Sequence, residues 1–156
     1  MHTPAPDTPA SPKQDAILTA ALTLFSERGF HGTAVPEVAA LARVGAGTIY
    51  RYFASKEALV NGVFQQAKSL LRDALLLDFD PQGDVRTAFH QFWLRLTRFA
   101  RDYPRQFRFL ELQDHVPYLD DTSRALELQI LLPVNLFCQY ARDQATARDL
   151  AAGTLM

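Results

Sequence analysis

Between Pro36 and Phe53 the chain has room for two short helices and the turn that joins them, and for little else. Pro36 stands where a helix begins, because the N–H that proline lacks has no partner in a first turn. Val35, Val38, Ala39 and Ala42 form the apolar side of that helix, which stops near Arg43. Gly45 and Gly47 flank a tight connection, and a second short helix runs from about Gly47 to Phe53. A longer periodic segment precedes the pair. Ile17, Ala20, Ala21, Leu24 and Phe25 recur at helical spacing after Lys13, and Gly29 suits a left-handed cap behind Arg28. A helix followed by a short helix, a tight turn and another short helix is a helix-turn-helix arrangement.

The remainder is also helical in pattern. Ser55 offers an N-cap oxygen to a long helix that buries Leu59, Val63, Phe64, Ala67, Leu70, Leu71 and Ala74. Asp80 to Asp84 is a turn. A helix from about Val85 to Asp102 carries Phe89, Phe92, Trp93, Leu96 and Phe99, and Tyr103-Pro104 breaks it. Residues 105 to 115 read as helix with Phe107 and Leu110 on one side, and Pro117 to Asp121 as loop. A last helix runs from about Asp121 to Asp143, interrupted at Pro133, with the first turn of another behind it. No segment alternates with strand period, so the fold class is all-α.

Charge and cysteine content narrow the functions. The formal net charge is −1, so any contact with nucleic acid must come from a local patch. Residues 13 to 60 hold five basic and four acidic side chains, so attraction to phosphate has to rest on placement and helix N-termini. The single cysteine, Cys138, excludes an internal disulfide and a thiolate metal cluster, which fits a reducing cytoplasm. The N-terminus has neither a basic start nor an apolar core, and no apolar run approaches the roughly 20 residues of a membrane span.

The stretch GTIYRYFASKEAL, residues 47 to 59, carries the chemistry. A recognition helix enters the major groove by its N-terminal end, so its first residues must be small or polar. Gly45, Ala46, Gly47 and Thr48 meet that need. Tyr50, Arg51, Tyr52 and Lys56 supply donors for phosphates at the groove edge. Ile49 and Phe53, one turn apart, face back into the protein.

This string, together with Ile17-Leu18-x-Ala20-Ala21-x-x-Leu24-Phe25, Glu27-x-Gly29-Phe30-x-x-Thr33 and Val38-Ala39-x-x-Ala42, resembles the DNA-binding domain of the tetracycline-repressor (TetR) family, without insertion. Where the family usually has Thr or Ser to cap its second helix, this chain has Ala34, and Thr33 takes part of that work. Arg43 stands where a turn glycine is usual, and Gly45 and Ala46 where Ser and Lys are usual. The candidate DNA contacts are Thr33, Gly45, Ala46, Gly47, Thr48, Tyr50, Arg51, Tyr52 and Lys56.

Four prolines among Thr, Ala and Ser mark residues 1–12 as a disordered tail, and the resemblance implies a helix-turn-helix DNA-binding domain (13–60) and a helical ligand-binding and dimerisation domain (61–156), C-terminally shortened. It implies a ligand-responsive regulator, a repressor in most of the family, that binds a pseudo-palindromic double-stranded operator as a homodimer and is released by a small apolar or aromatic effector. The aromatic bulk of the second half fits a cavity with few polar groups. Phe89, Phe92, Trp93, Leu96, Phe109, Gln113, His115 and Tyr118 are its candidate residues, although core packing is the simpler reading of any one ring. Glu111, His115 and His90 lack a metal-ligand spacing, so neither a metal nor a cofactor is expected. Arg95, Arg98, Arg101, Arg105 and Arg108 read as a solvated face, and Cys138 as a small buried hydrophobe. No nucleophile–base pattern marks an enzyme. The alternative to the regulator is a helical small-molecule-binding protein that has lost sequence-specific DNA binding, an alternative motivated by Gly45 and Ala46.

Overall fold

The computed structural model describes residues 11–79 and 84–153, with side chains through residue 144. Its helices are α1 (Pro12–Arg28), α2 (Val35–Leu41), α3 (Ala46–Tyr52), α4 (Lys56–Leu76), α5 (Val85–Asp102), α6 (Pro104–Leu112) and α7 (Asp121–Gly153). A short 3-10 turn, Val116–Tyr118, lies between α6 and α7. Among the described residues there is no strand, in agreement with the all-α expectation.

Local chemistry sets most of the helix ends. Ser11 Oγ accepts from Gln14 N–H at 3.2 Å and Pro12 occupies the first turn, so α1 starts inside the segment read as tail. Residues 1–10 of that tail lie outside the described residues. Gly29 ends α1 at φ +68°, where a β-carbon would also lie 2.9 Å from Gln113 Oε1. Ser55 Oγ accepts from Ala58 N–H at 3.1 Å and opens α4.

The second helix is capped by a different route from the one expected. Thr33 is buried, and its hydroxyl donates to Gly29 O at 2.9 Å, back toward the end of α1, instead of accepting an N–H of α2. Glu37 instead reaches back and accepts the Ala34 N–H at 3.0 Å. That bond, with Arg28 at 2.9 Å, holds the Glu37 carboxyl below the usual carboxylate range. The turn before α3 puts a side chain where a glycine is usual. Gly45 has an ordinary φ of −70°, whereas Arg43 carries the left-handed conformation at φ +56°. A side chain there costs roughly 1–2 kcal/mol, which explains why glycine suits that position better.

Three further corrections concern the second half. The helix read over 105–115 stops at Leu112, and Gln113 turns the chain away in extended conformation. The final helix is not interrupted: α7 runs through Pro133 to Gly153. Proline removes one ladder bond there, and Ile130 and Phe137, buried on either side, hold the helix to the core. Arg95 is no solvated residue. Its guanidinium donates to the carbonyls of Leu75, Leu77 and Asp78, closing the end of α4 that the helix itself leaves unsatisfied.

The core is continuous across both halves. Ile17, Ala21 and Phe25 of α1 and Val38 of α2 share one buried cluster with Leu59, Val63 and Phe64 of α4, and with Phe109 of α6. Each fully buried large side chain contributes about 1.5–3 kcal/mol. α4 therefore does not link two independent bodies; it is the common wall of both.

Candidate nucleic-acid interface

α3 is anchored from beneath and bare above. Ile49 and Phe53 are buried, and Phe53 fits against Gly62 of α4 so closely that a β-carbon there would stand 2.8 Å from its ring. On the outer side Gly45, Ala46, Gly47, Tyr50 and Arg51 are exposed, with Thr48 half-buried. Apart from its chain neighbours and the backbone of its own helix, no atom lies within 4 Å of the place a Gly47 β-carbon would take, so the first turn offers an unobstructed approach to another surface. Tyr50 is 53% exposed.

The remaining residues of the expected set are held by the protein. Tyr52 Oη accepts from Ser11 Oγ at 3.0 Å, tying the end of α3 to the start of α1. Lys56 Nζ lies 4.2 Å from the centroid of the Phe30 ring. Thr33, buried and bonded to Gly29, has no hydroxyl to give a phosphate, so its side chain leaves the contact set.

The expected ligand set divides in two. Phe89 and Phe92 line an apolar cavity of about 270 Å³ with Leu76, Phe79, Val134 and Phe137, and with Pro133 and Cys138. Trp93 and Leu96 are not among its lining residues, Trp93 is exposed, and Cys138, read as buried, is exposed at the cavity edge. Phe109, Gln113, His115 and Tyr118 lie elsewhere, against the head. Phe109 faces Phe25 of α1 with ring centroids 6.4 Å apart. Gln113 Nε2 donates to Ser26 O at 3.0 Å, and Tyr118 stacks on Phe30 at 3.8 Å. The cause is the early end of α6, which folds residues 113–120 back toward the α1–α2 loop. Pro133, Val134 and Phe137 share a face of α7, so their place in the cavity was readable only by treating α7 as continuous.

Two buried polar groups organise this junction. Asn61, which sequence reasoning passed over, sits at a buried position of α4. Its amide donates to Glu57 O at 2.8 Å and Tyr118 O at 2.7 Å, and its oxygen accepts from Asp120 N–H at 2.9 Å and Ser123 Oγ at 2.7 Å. A polar residue in the apolar phase of a helix was the available signal. His115 is buried between Phe64 and Phe109, with ring centroids 5.0 and 5.1 Å away, and its Nδ1 has no hydrogen-bond partner among the described residues. Burial pushes this imidazole below its ordinary pKa and the Lys68 ammonium lowers it further, while Glu127, the Gln113 backbone and Asp114 oppose both. Among the described residues no group of three or more His, Cys, Asp or Glu side chains is placed to hold a metal ion. None of the described helices is long and apolar enough to cross a membrane.

Comparison with known proteins supplies the remaining facts. Residues 17–63 match the family model of bacterial regulatory proteins, tetR family, and residues 64–156 match that of the tetracyclin repressor-like C-terminal domain. Over 117 residues the chain is 37% identical to the HTH-type transcriptional regulator RutR of Escherichia coli strain K12, covering 71% of this chain and 53% of that protein. Over 63 residues it is 40% identical to the HTH-type transcriptional repressor KstR2 of Mycolicibacterium smegmatis, covering 39% of this chain and 31% of that one. The chain thus spans about half the length of RutR. A tetR family transcription regulator from Shewanella sp. PV-4 superimposes with a TM-score of 0.71 at 29% identity, over 85% of this chain and 71% of that chain.

Proposed function

This chain belongs to the tetR family of bacterial regulatory proteins, and from that premise we propose that it is a DNA-binding transcriptional repressor whose two copies read a pseudo-palindromic operator and release it when a small apolar or aromatic molecule binds the second half. The observation that carries this reading is α3, whose unobstructed first turn stands on a fully buried base. A two-fold pair would present two such helices to successive major grooves, about 34 Å apart. Exposed Leu128, Leu132 and Leu136, each one turn from the next on α7, supply an apolar stripe that favours association. The cavity bounded by Phe79, Phe89, Phe92 and Phe137 suits an effector with little to hydrogen-bond. Such a molecule shifts the protein only by its differential affinity for the two states, and α4, wall to both halves, is the lever.

Tyr50→Ala is the test of the docking. Tyr50 is exposed, so the variant is expected to unfold with wild-type stability. A lost hydrogen bond of about 0.5–1.5 kcal/mol, present twice in a dimer, weakens operator binding on the order of 10-fold. Fluorescence anisotropy with an operator duplex at fixed salt reads the change; wild-type affinity in the variant would contradict this placement of α3.

A further inference from the structure

The junction between the two halves meets the proposed DNA surface at one ring. Tyr118, in the 3-10 turn before α7, covers Phe30 with ring centroids 3.8 Å apart and an interplanar angle of 17°. At that distance it fills one face of Phe30, so the Lys56 ammonium, 4.2 Å from the same centroid, occupies the other. Tyr118 is itself fixed on three sides. Its Oη and His31 Nε2 share a hydrogen bond of 2.8 Å, its carbonyl accepts from Asn61 at 2.7 Å, and its N–H donates to His115 O at 2.9 Å. Lys56 opens α4, four residues after α3 ends, at the edge where the backbone of a bound duplex would pass.

We propose that Tyr118 is a positioning residue for operator binding: by clamping Phe30 it holds Lys56 where its ammonium meets a DNA phosphate. The inference rests on the DNA-binding reading above. A lysine free on its four-carbon stem must be ordered when it binds, whereas one held against an aromatic face is ordered beforehand. A change in the second half that lifts Tyr118 from Phe30 would release Lys56, without any movement of α3 in its own framework. Tyr118 then acts on DNA without touching it, and the backbone bonds to Asn61 and His115 tie its position to α4 and to the end of α6.

The experiment measures the affinity for a selected operator duplex across a salt series, for wild type and for Tyr118→Ala, Tyr118→Phe, Lys56→Gln and the Tyr118→Ala/Lys56→Gln double variant. Each phosphate contact contributes roughly 0.9 to the slope of log K against log salt. Lys56→Gln and Tyr118→Ala are each expected to lower that slope by about 1–2 for a dimer and to weaken binding about 5–10-fold at moderate salt. The double variant is expected to lose no more than either alone, and Tyr118→Phe, which keeps the stack, to bind as wild type. If Tyr118→Ala does not fold, Phe30→Leu removes the ring under Lys56 and must give the same slope. Wild-type slope in Tyr118→Ala, or additive losses in the double variant, would overturn the positioning role alone. Absence of salt-dependent binding by the wild type would overturn the DNA-binding reading and this role with it.

Discussion

Phe64→Ala is expected to lower the free energy of unfolding by about 3–5 kcal/mol, near the upper limit for a single core truncation. Phe64 is fully buried at the middle of α4. Its ring faces His115 at 5.0 Å, lies 5.5 Å from the Lys68 ammonium, and shares its cluster with α1 residues of the head and Phe109 of α6. The void left by alanine would open under both halves together, and neither wall can close it alone, because each side also packs on its own partners. Against a typical total of roughly 5–15 kcal/mol, such a loss is a large fraction of stability. Urea denaturation should show a lower midpoint in one transition, with the slope unchanged. A loss below about 1 kcal/mol would show that the halves do not share this wall.

The second large effect is a pH dependence that belongs to His115. An imidazole titrates near 6.5 in the unfolded chain, and in the folded protein burial and Lys68 push it lower. The groups around it are Lys68 from α4, Glu127 from α7, and the Gln113 backbone and Asp114 from its own loop. As pH falls through 6.5 the unfolded chain takes up a proton that the folded protein still refuses. Unfolding is thereby favoured, so stability declines with falling pH until the folded imidazole also titrates. The slope in that window reaches at most about 1.4 kcal/mol per pH unit. His115→Phe keeps a ring between Phe64 and Phe109 and removes an unpartnered buried nitrogen, which costs about 1–3 kcal/mol where it stands. The variant is expected to be more stable than wild type at neutral pH and to lack the decline below 6.5. Parallel stability profiles for the two proteins between pH 5 and 7 would show that His115 is not the titrating group.

The head was legible because its signals are local. Apolar residues three and four apart, Pro36 in a first turn, Gly29 behind α1 and Ser55 before α4 each specify their own neighbourhood, and the structure follows them closely. Where a side chain had two local uses, the choice depended on what packs around it. Thr33 turned inward to Gly29 and left the α2 cap to Glu37. The second half was less legible because its signals are not local. Asn61 gathers groups from Glu57 to Ser123, and no property of position 61 alone names Tyr118 or Asp120 as partners. The same long-range folding moved Gln113, His115 and Tyr118 from an expected cavity to the junction with the head. Pro133 misled in the opposite direction: its local rule breaks a helix, and packing on either side of it keeps α7 whole.

Selection of bound sequences from a random duplex pool, at moderate salt and without effector, tests the central claim most directly. The expected result is enrichment of one two-fold symmetric motif, its half-sites separated by about one helical turn, as two copies of α3 require. No enriched sequence would contradict the regulator reading and leave a helical protein that binds small molecules without reading DNA.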